Sequence, residues 1–208
     1  MKRSLYIIRH GQTDLNKQGI VQGRGINSPL NEHGILQAQA FYKSYKHISF
    51  DRVITSTLLR THQTVEGFIK DGIPWTQHEG LDEISWGVYE GKLQDDEISN
   101  GFDKLVASWT SGILDVCVNE GETPDEMKIR QEVAVKDILE LTATDKNVLI
   151  CTHGRAMRML LCLLTNQSYS NMDTFPHTNT ALYKIDYDGE QFVIDEFYNI
   201  NHLIGLEE

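Results

Sequence analysis

Short apolar runs alternate along this chain with longer segments of helical periodicity. Leu5–Ile8 is a β-rich run that stops abruptly at Arg9-His10-Gly11. After a polar loop, Asn31 is placed to cap a helix whose apolar residues Ile35, Ala38, Phe41 and Tyr45 recur at helical spacing. Arg52–Thr55 reads as a second strand, and Ser56 as the cap of a helix from about Leu58 to Ile69 that stops near Gly72. The stretch Trp75–Gly91 is turn-rich and shows no strand or helix period. Helices are predicted over Gly101–Ser111 and Glu122–Leu141, the second opened by Thr123-Pro124-Asp125-Glu126. Asn147–Cys151 has the continuous apolar character of a buried strand, and Gly154 opens a Met- and Leu-rich helix to Leu164. Finally, Ala181–Asp186 and Phe192–Phe197 flank the hairpin signal Asp188-Gly189.

Strands that alternate with helices predict an α/β fold: a three-layer sandwich with a mostly parallel central sheet and an antiparallel edge hairpin. Composition narrows the picture. The 208 residues, 40% of them hydrophobic, suit a single domain spanning 1–208 with its own core. The formal net charge of −11 argues against a nucleic-acid partner. It also means that a site for an anion must gather the chain's few cations in one place. No apolar stretch reaches membrane-spanning length, and Met1–Ser4 is too short for a signal peptide, so a cytoplasmic protein with no membrane partner is expected. Cys117, Cys151 and Cys162 fall at no metal-ligand spacing and form no disulfide framework. Neither HExxH, EF-hand, Walker nor GxGxxG spacing occurs, so neither a metal nor a cofactor is expected. Oligomeric state is not readable, and a dimer is left open.

The candidate chemistry lies at strand ends. Arg9 and His10 follow the first strand, Arg60 lies in the helix after the second, and His153 follows Val148–Cys151. Ligands of open α/β sheets bind beyond the carboxyl ends of the strands, so two arginines and two histidines converge on one rim. Helix N-termini near Ser56–Arg60 and Thr152–Arg155 add free N–H groups suited to a phosphate. Singly, each residue has a duller reading as surface charge or solvated helix start. The other histidines, 33, 47, 62, 78, 177 and 202, read as structural or surface.

The segment Leu5–Asn16, with Arg-His-Gly followed by Gln, Thr and Asn, resembles the signature of the histidine phosphatase (phosphoglycerate mutase-like) superfamily. Val21-Gln22-Gly23, Ser28-Pro29-Leu30, Thr55-Ser56 with Arg60-Thr61, Leu81-Asp82-Glu83, Gly121-Glu122-Thr123, Thr152-His153-Gly154 and Asn179-Thr180 extend the resemblance over nearly the whole chain. The resemblance implies His10 as nucleophile, Glu83 as proton donor and later base, and Arg9, Arg60 and His153 as the phosphate clamp. It further implies substrate contacts from Asn16, Gln22, Gly23 and Gly154, and a helical lid inserted at about 92–145.

Those residue types suit phosphoryl transfer, which needs an in-line nucleophile, cations on the equatorial oxygens and a proton for the departing alkoxide. Arg9 and Arg60 should oppose protonation of His10 and keep it nucleophilic. The fork of arginine grips two oxygens at once, and His153 is expected to donate to a third. Glu83 must carry a proton at the first step. The implied reaction is hydrolysis of small-molecule phosphate monoesters through a phosphohistidine, without a metal, in the branch that includes broad-specificity and α-ribazole phosphatases.

Phosphoglycerate mutase is the alternative, and a silent phospho-ligand binding module a third reading. Mutases of the family carry Arg-His-Tyr-Gly after the acid, where this chain has Ile84-Ser85-Trp86-Gly87, and Glu83–Lys104 is rich in acids. That acidic stretch is expected to border the pocket mouth. Trp86, Tyr89, Phe102 and Trp109 are candidates for a leaving-group pocket or for lid core, and Arg155 either contacts substrate or points away.

Overall fold

A computed structural model describes residues 2–206. Six strands form one sheet: β1 (Arg3–Arg9), β2 (Arg52–Thr55), β3 (Trp75–Gln77), β4 (Asn147–Thr152), β5 (Leu182–Tyr187) and β6 (Phe192–Asn199), in the order β3-β2-β4-β1-β5-β6. The pairs β1–β4, β2–β4 and β2–β3 are parallel, whereas β1–β5 and β5–β6 are antiparallel. This is the expected α/β sandwich with its edge hairpin.

Alternation along the central strands builds two cores. Leu5, Ile7, Val148 and Ile150 face one side, packed with α5 (Pro124–Leu141) and α6 (Gly154–Leu164). Tyr6, Ile8, Leu149 and Cys151 face the other, against Phe41 of α2 (Glu32–Tyr45) and Val65 and Phe68 of α3 (Leu59–Lys70). Because both faces are covered, the middles of these strands, Leu5–Ile8 and Val148–Cys151, run apolar without alternation.

Caps set the helix ends. Asn31 accepts from Gly34 N–H, as expected, and Thr123 with Glu126 closes a full capping box at the start of α5. Ser56 does not cap α3; Leu58 occupies that position with no side-chain bond. The fourth helix, α4, spans Asp96–Thr110 and so begins earlier than Gly101. Asp95 accepts from Ile98 N–H, and Ile98 and Trp109 are buried. Gly101 was a misleading start signal: the Tyr89 ring packs directly on it, so it serves contact and not termination. A short helix and a short strand went unpredicted, as did several 3-10 turns. α1 (Asp14–Lys17) is a single capped turn, and β3 is a three-residue edge strand with mostly exposed side chains. Neither is long enough to impose a period on the sequence.

β1 and β4 lie side by side, and the chain leaves them toward opposite faces, to α2 and α6. Their carboxyl ends therefore frame a crevice at a switch in topology. His10 N–H donates to the Thr152 carbonyl (2.9 Å), which sets His10 and His153 next to each other at its mouth.

Candidate active site

A cavity of about 320 Å³ opens at this edge, and Arg9, His10, Asn16, Gln22, Glu83 and Gly154 line it. Among the described residues Glu83 is the only acid in its lining, against Arg9 and Arg155. In a chain of net charge −11, that is the gathering of cations the sequence required.

His10 is 3% exposed, and its ring centroid lies 5.1 Å from that of His153. Its Nδ1 lies 2.7 Å from the Gly11 carbonyl. A carbonyl only accepts, so Nδ1 carries the proton and Nε2 keeps its lone pair. Burial first, then the charges of Arg60 and Arg9, hold this imidazole well below its ordinary value of 6.5. His10 is thus neutral at neutral pH, with its nucleophilic nitrogen defined. Asn179 Nδ2 donates to the His10 carbonyl (2.9 Å) and Thr64 Oγ1 accepts from Gly11 N–H (2.9 Å), which fixes the main chain on both sides.

Arg9 donates through one terminal nitrogen to the His177 carbonyl (2.6 Å), while its Nε is buried without a partner. An unpaired buried donor on a guanidinium is costly unless an anion meets it. Burial pulls Arg9 and Arg60 down to about 10, and both remain cations at neutral pH.

Arg60 and His153 stand behind the cavity wall, with Arg60 1% exposed and His153 fully buried. Arg60 Nε donates to His153 Nδ1 (3.2 Å), so the other ring nitrogen, Nε2, carries the proton and donates to Ser56 Oγ (2.7 Å). Ser56 donates onward to Thr61 Oγ1 (3.0 Å), which itself donates to the Leu58 carbonyl (2.7 Å). Every member of this buried relay is satisfied. The direct phosphate donor expected of His153 is therefore not displayed, because both ring nitrogens are engaged within the protein.

Glu83 is held by three main-chain donors: Ile84 N–H (3.0 Å) and Ala156 N–H (2.9 Å) on Oε1, and Arg155 N–H (3.1 Å) on Oε2. The first turn of α6 was expected to offer its N–H groups to a phosphate. Two of them are spent on Glu83 instead, and Oε2 accepts from only one of the three main-chain donors.

Among the predicted contact residues, Asn16, Gln22 and Gly154 line the cavity, and Gly23 does not. Gly23 packs against Glu90 and the Ile84 carbonyl so tightly that a Cβ has no room, and its own carbonyl lies 3.4 Å from Arg60. Gln22 donates to Thr13 Oγ1 (2.7 Å) and accepts from Ser28 (2.5 Å), so it braces the wall.

His177, read from the sequence as structural or surface, lines the cavity. Burial and the neighbouring arginines Arg9, Arg158 and Arg155 pull it down to about 2, so it is neutral there. No motif surrounds it; it reaches the site only because the segment before β5 folds back over Gly154. The four aromatics divide, and Tyr89 packs on Phe102 at 5.3 Å outside the cavity lining. Trp86 and Phe102 line the cavity edge-to-face at 4.8 Å, whereas Trp109 is buried behind them. Arg155 does line the cavity, although Asp173 holds its guanidinium (2.8 Å). The acids Asp95, Asp96, Glu97 and Asp103 are solvent-exposed, and α4 turns Phe102 and Val106 toward the cavity. The acidic stretch does border the cavity, through Glu83, Trp86, Gln94 and Phe102, but these exposed acids are not in its lining.

A family model described as the histidine phosphatase superfamily (branch 1) matches residues 5–200. The chain belongs to this superfamily. A broad-specificity phosphatase of Saccharomyces cerevisiae is 32% identical over 96% of this chain and 86% of its own. A Yersinia pestis protein whose name places it with the phosphoglycerate mutases is 30% identical over 88% of this chain and 84% of its own. Among solved structures, YhfR of Bacillus stearothermophilus superposes with a TM-score of 0.82 and 26% identity, covering 99% of this chain and 100% of that one. Membership and relatives together make this histidine phosphatase a hydrolase, with the mutase reading less favoured. No helix among the described residues is long and apolar enough to cross a membrane.

Proposed function

We propose that this phosphatase hydrolyses small-molecule phosphate monoesters through a phosphohistidine on His10, without a metal ion. The observation that carries the proposal is the His10 tautomer: Nδ1 is tied to the Gly11 carbonyl, and the Nε2 lone pair is available beside two arginines. Nε2 attacks phosphorus in line, and the ester oxygen leaves with a proton from Glu83. Water then attacks the phosphohistidine, gives its proton to the Glu83 carboxylate, and inorganic phosphate departs.

Arg9 and Arg60 supply the positive charge that a divalent cation provides in other phosphoryl transfers. For His153 to join them, Arg60 Nε must release Nδ1, the ring proton must pass there from Nε2, and the Ser56 hydroxyl must turn round to donate to Nε2, which a hydroxyl permits. The insertion at 92–145 acts as the lid of a single domain, through Phe102 and Val106. Its apolar face gives a second anionic group on the substrate nothing to pair with, and such a group is costly to desolvate. That favours hydrolysis over a phosphoglycerate mutase cycle. The substrate is a small phosphate ester, and the expected setting is cytoplasmic, with neither nucleic acid nor membrane as partner.

The test is His10→Ala. Turnover should be lost, together with the acid-labile, base-stable label that a radiolabelled phosphate ester leaves on the wild-type protein. Near-normal kcat in that variant would refute the mechanism.

A further inference from the structure

The segment that carries Glu83 is gripped from the insertion by one residue outside the cavity. Arg130 of α5 directs one terminal nitrogen to the carbonyls of Gly80 and Asp82 (both 3.0 Å) and of Glu79 (3.5 Å). Its other terminal nitrogen donates to the carbonyl of Glu83 itself (3.1 Å). Glu122 neutralises the guanidinium with both oxygens (2.6 and 2.9 Å) and also accepts from Ser85 N–H (3.3 Å). The turn is pressed onto α5 as well: a Cβ on Gly80 would come within 2.6 Å of Ala134 Cβ and 2.7 Å of the Arg130 carbonyl. The acid is thus held twice, its main chain by α5 and its carboxylate by the first turn of α6.

We infer that Arg130, seated by Glu122, is a positioning residue that sets the proton-donating oxygen of Glu83 against the departing ester oxygen. The inference rests on Glu83 being the general acid. Only the planar fork of arginine spans several carbonyls while facing a carboxylate; the point charge of lysine reaches one or two. Proton transfer fails with small displacements, whereas attack by His10 does not depend on this segment. A loosened acid therefore slows substrates that need a proton on the leaving group and spares those that do not.

The experiment compares β-glycerophosphate, an alkyl ester, with p-nitrophenyl phosphate, whose leaving group departs unprotonated. Arg130→Met should lower kcat/KM for the alkyl ester about 10²-fold, the scale of a misplaced catalytic group. The aryl ester should fall less than about threefold, and the Ki of inorganic phosphate should stay put, since clamp and nucleophile are untouched. Arg130→Lys should show the same asymmetry to a smaller degree, and it replaces the methionine variant if that one does not fold. Adding Arg130→Met to Glu83→Gln should cost the alkyl ester little beyond Glu83→Gln alone, because both act through one proton.

Equal losses on both esters in the Arg130 variants, or additive losses in the double variant, overturn the inference and leave Arg130 a structural anchor. A Glu83→Gln enzyme that slows both esters equally would instead remove the general-acid reading on which the inference stands.

Discussion

Replacing Ser56 by alanine tests whether the buried relay behind His10 holds the proposed phosphate clamp together. The hydroxyl accepts from His153 Nε2–H (2.7 Å) and from Leu58 N–H (3.2 Å), and Ser56 and His153 are both fully buried. Alanine leaves both donors unpaired. The void of one oxygen atom is well below a water's share of liquid volume, about 30 Å³, so solvent does not replace it. An orphaned buried donor costs about 1–3 kcal/mol, and the longer Leu58 bond belongs at the low end, which gives about 2–4 kcal/mol in total. For a chain of this length that lowers Tm by roughly 4–16 °C.

The catalytic consequence is separate. Without Ser56 only the Arg60 Nε bond orients the His153 ring, and Arg60 in turn loses a firmly held acceptor. Inorganic phosphate, as a competitive inhibitor, should bind about tenfold more weakly, equivalent to about 1.4 kcal/mol. Urea denaturation and phosphate inhibition measure the two effects independently. Ser56→Ala within about 0.5 kcal/mol of wild type, a typical harmless surface change, together with an unchanged Ki, would refute the relay.

Three further outcomes follow from the geometry. Activity should survive exhaustive chelation, because Arg9 and Arg60 carry the charge; loss in chelator with recovery on one divalent ion contradicts this. Gly154→Ala should raise the Ki of inorganic phosphate without abolishing the phosphoenzyme, since the new Cβ would come 2.6 Å from the His177 ring and 3.5 Å from Arg9 Nε; an unchanged Ki would show that the His177 wall is soft. Acid should destabilise the fold early: burial pulls His202 down to about 4, so the unfolded chain takes up its proton first as pH falls below 6.5. Stability from this group is complete above that value and is lost toward pH 4 at about 1.4 kcal/mol per pH unit. The urea midpoint of His202→Gln should accordingly fall less than wild type between pH 7 and pH 5, and parallel curves would count against the assignment.

The candidate site was more legible in the sequence than the residues that support it. His10, Arg9, Arg60, Glu83 and His153 sit in motifs at strand and helix boundaries, where residue type and position are coupled to backbone geometry, and reading three β-to-α junctions together located the rim. Arg130 and His177 carried no such signal. Arg130 looks like any charge on an amphipathic helix, and its hold on four carbonyls exists only once α5 docks on the Glu79–Leu81 turn. The outward placement of the insertion's acids was hidden for a related reason. Charge counted along the chain does not say which helix face turns inward, and α4 hides its apolar stripe while its acids cap and solvate it.

By itself, then, the sequence determined what depends on local periodicity and short-range stereochemistry. Those include the two apolar faces of β1 and β4, the caps at Asn31 and Thr123, the Asp188-Gly189 hairpin and the gathering of cations at strand ends. Only the tertiary structure decided the direction of each hydrogen bond. It put Ser56 on His153 and the N-terminus of α6 on Glu83. Proton positions depend on which partners meet across the fold, and those partners lie as many as 97 residues apart, beyond the reach of any local pattern.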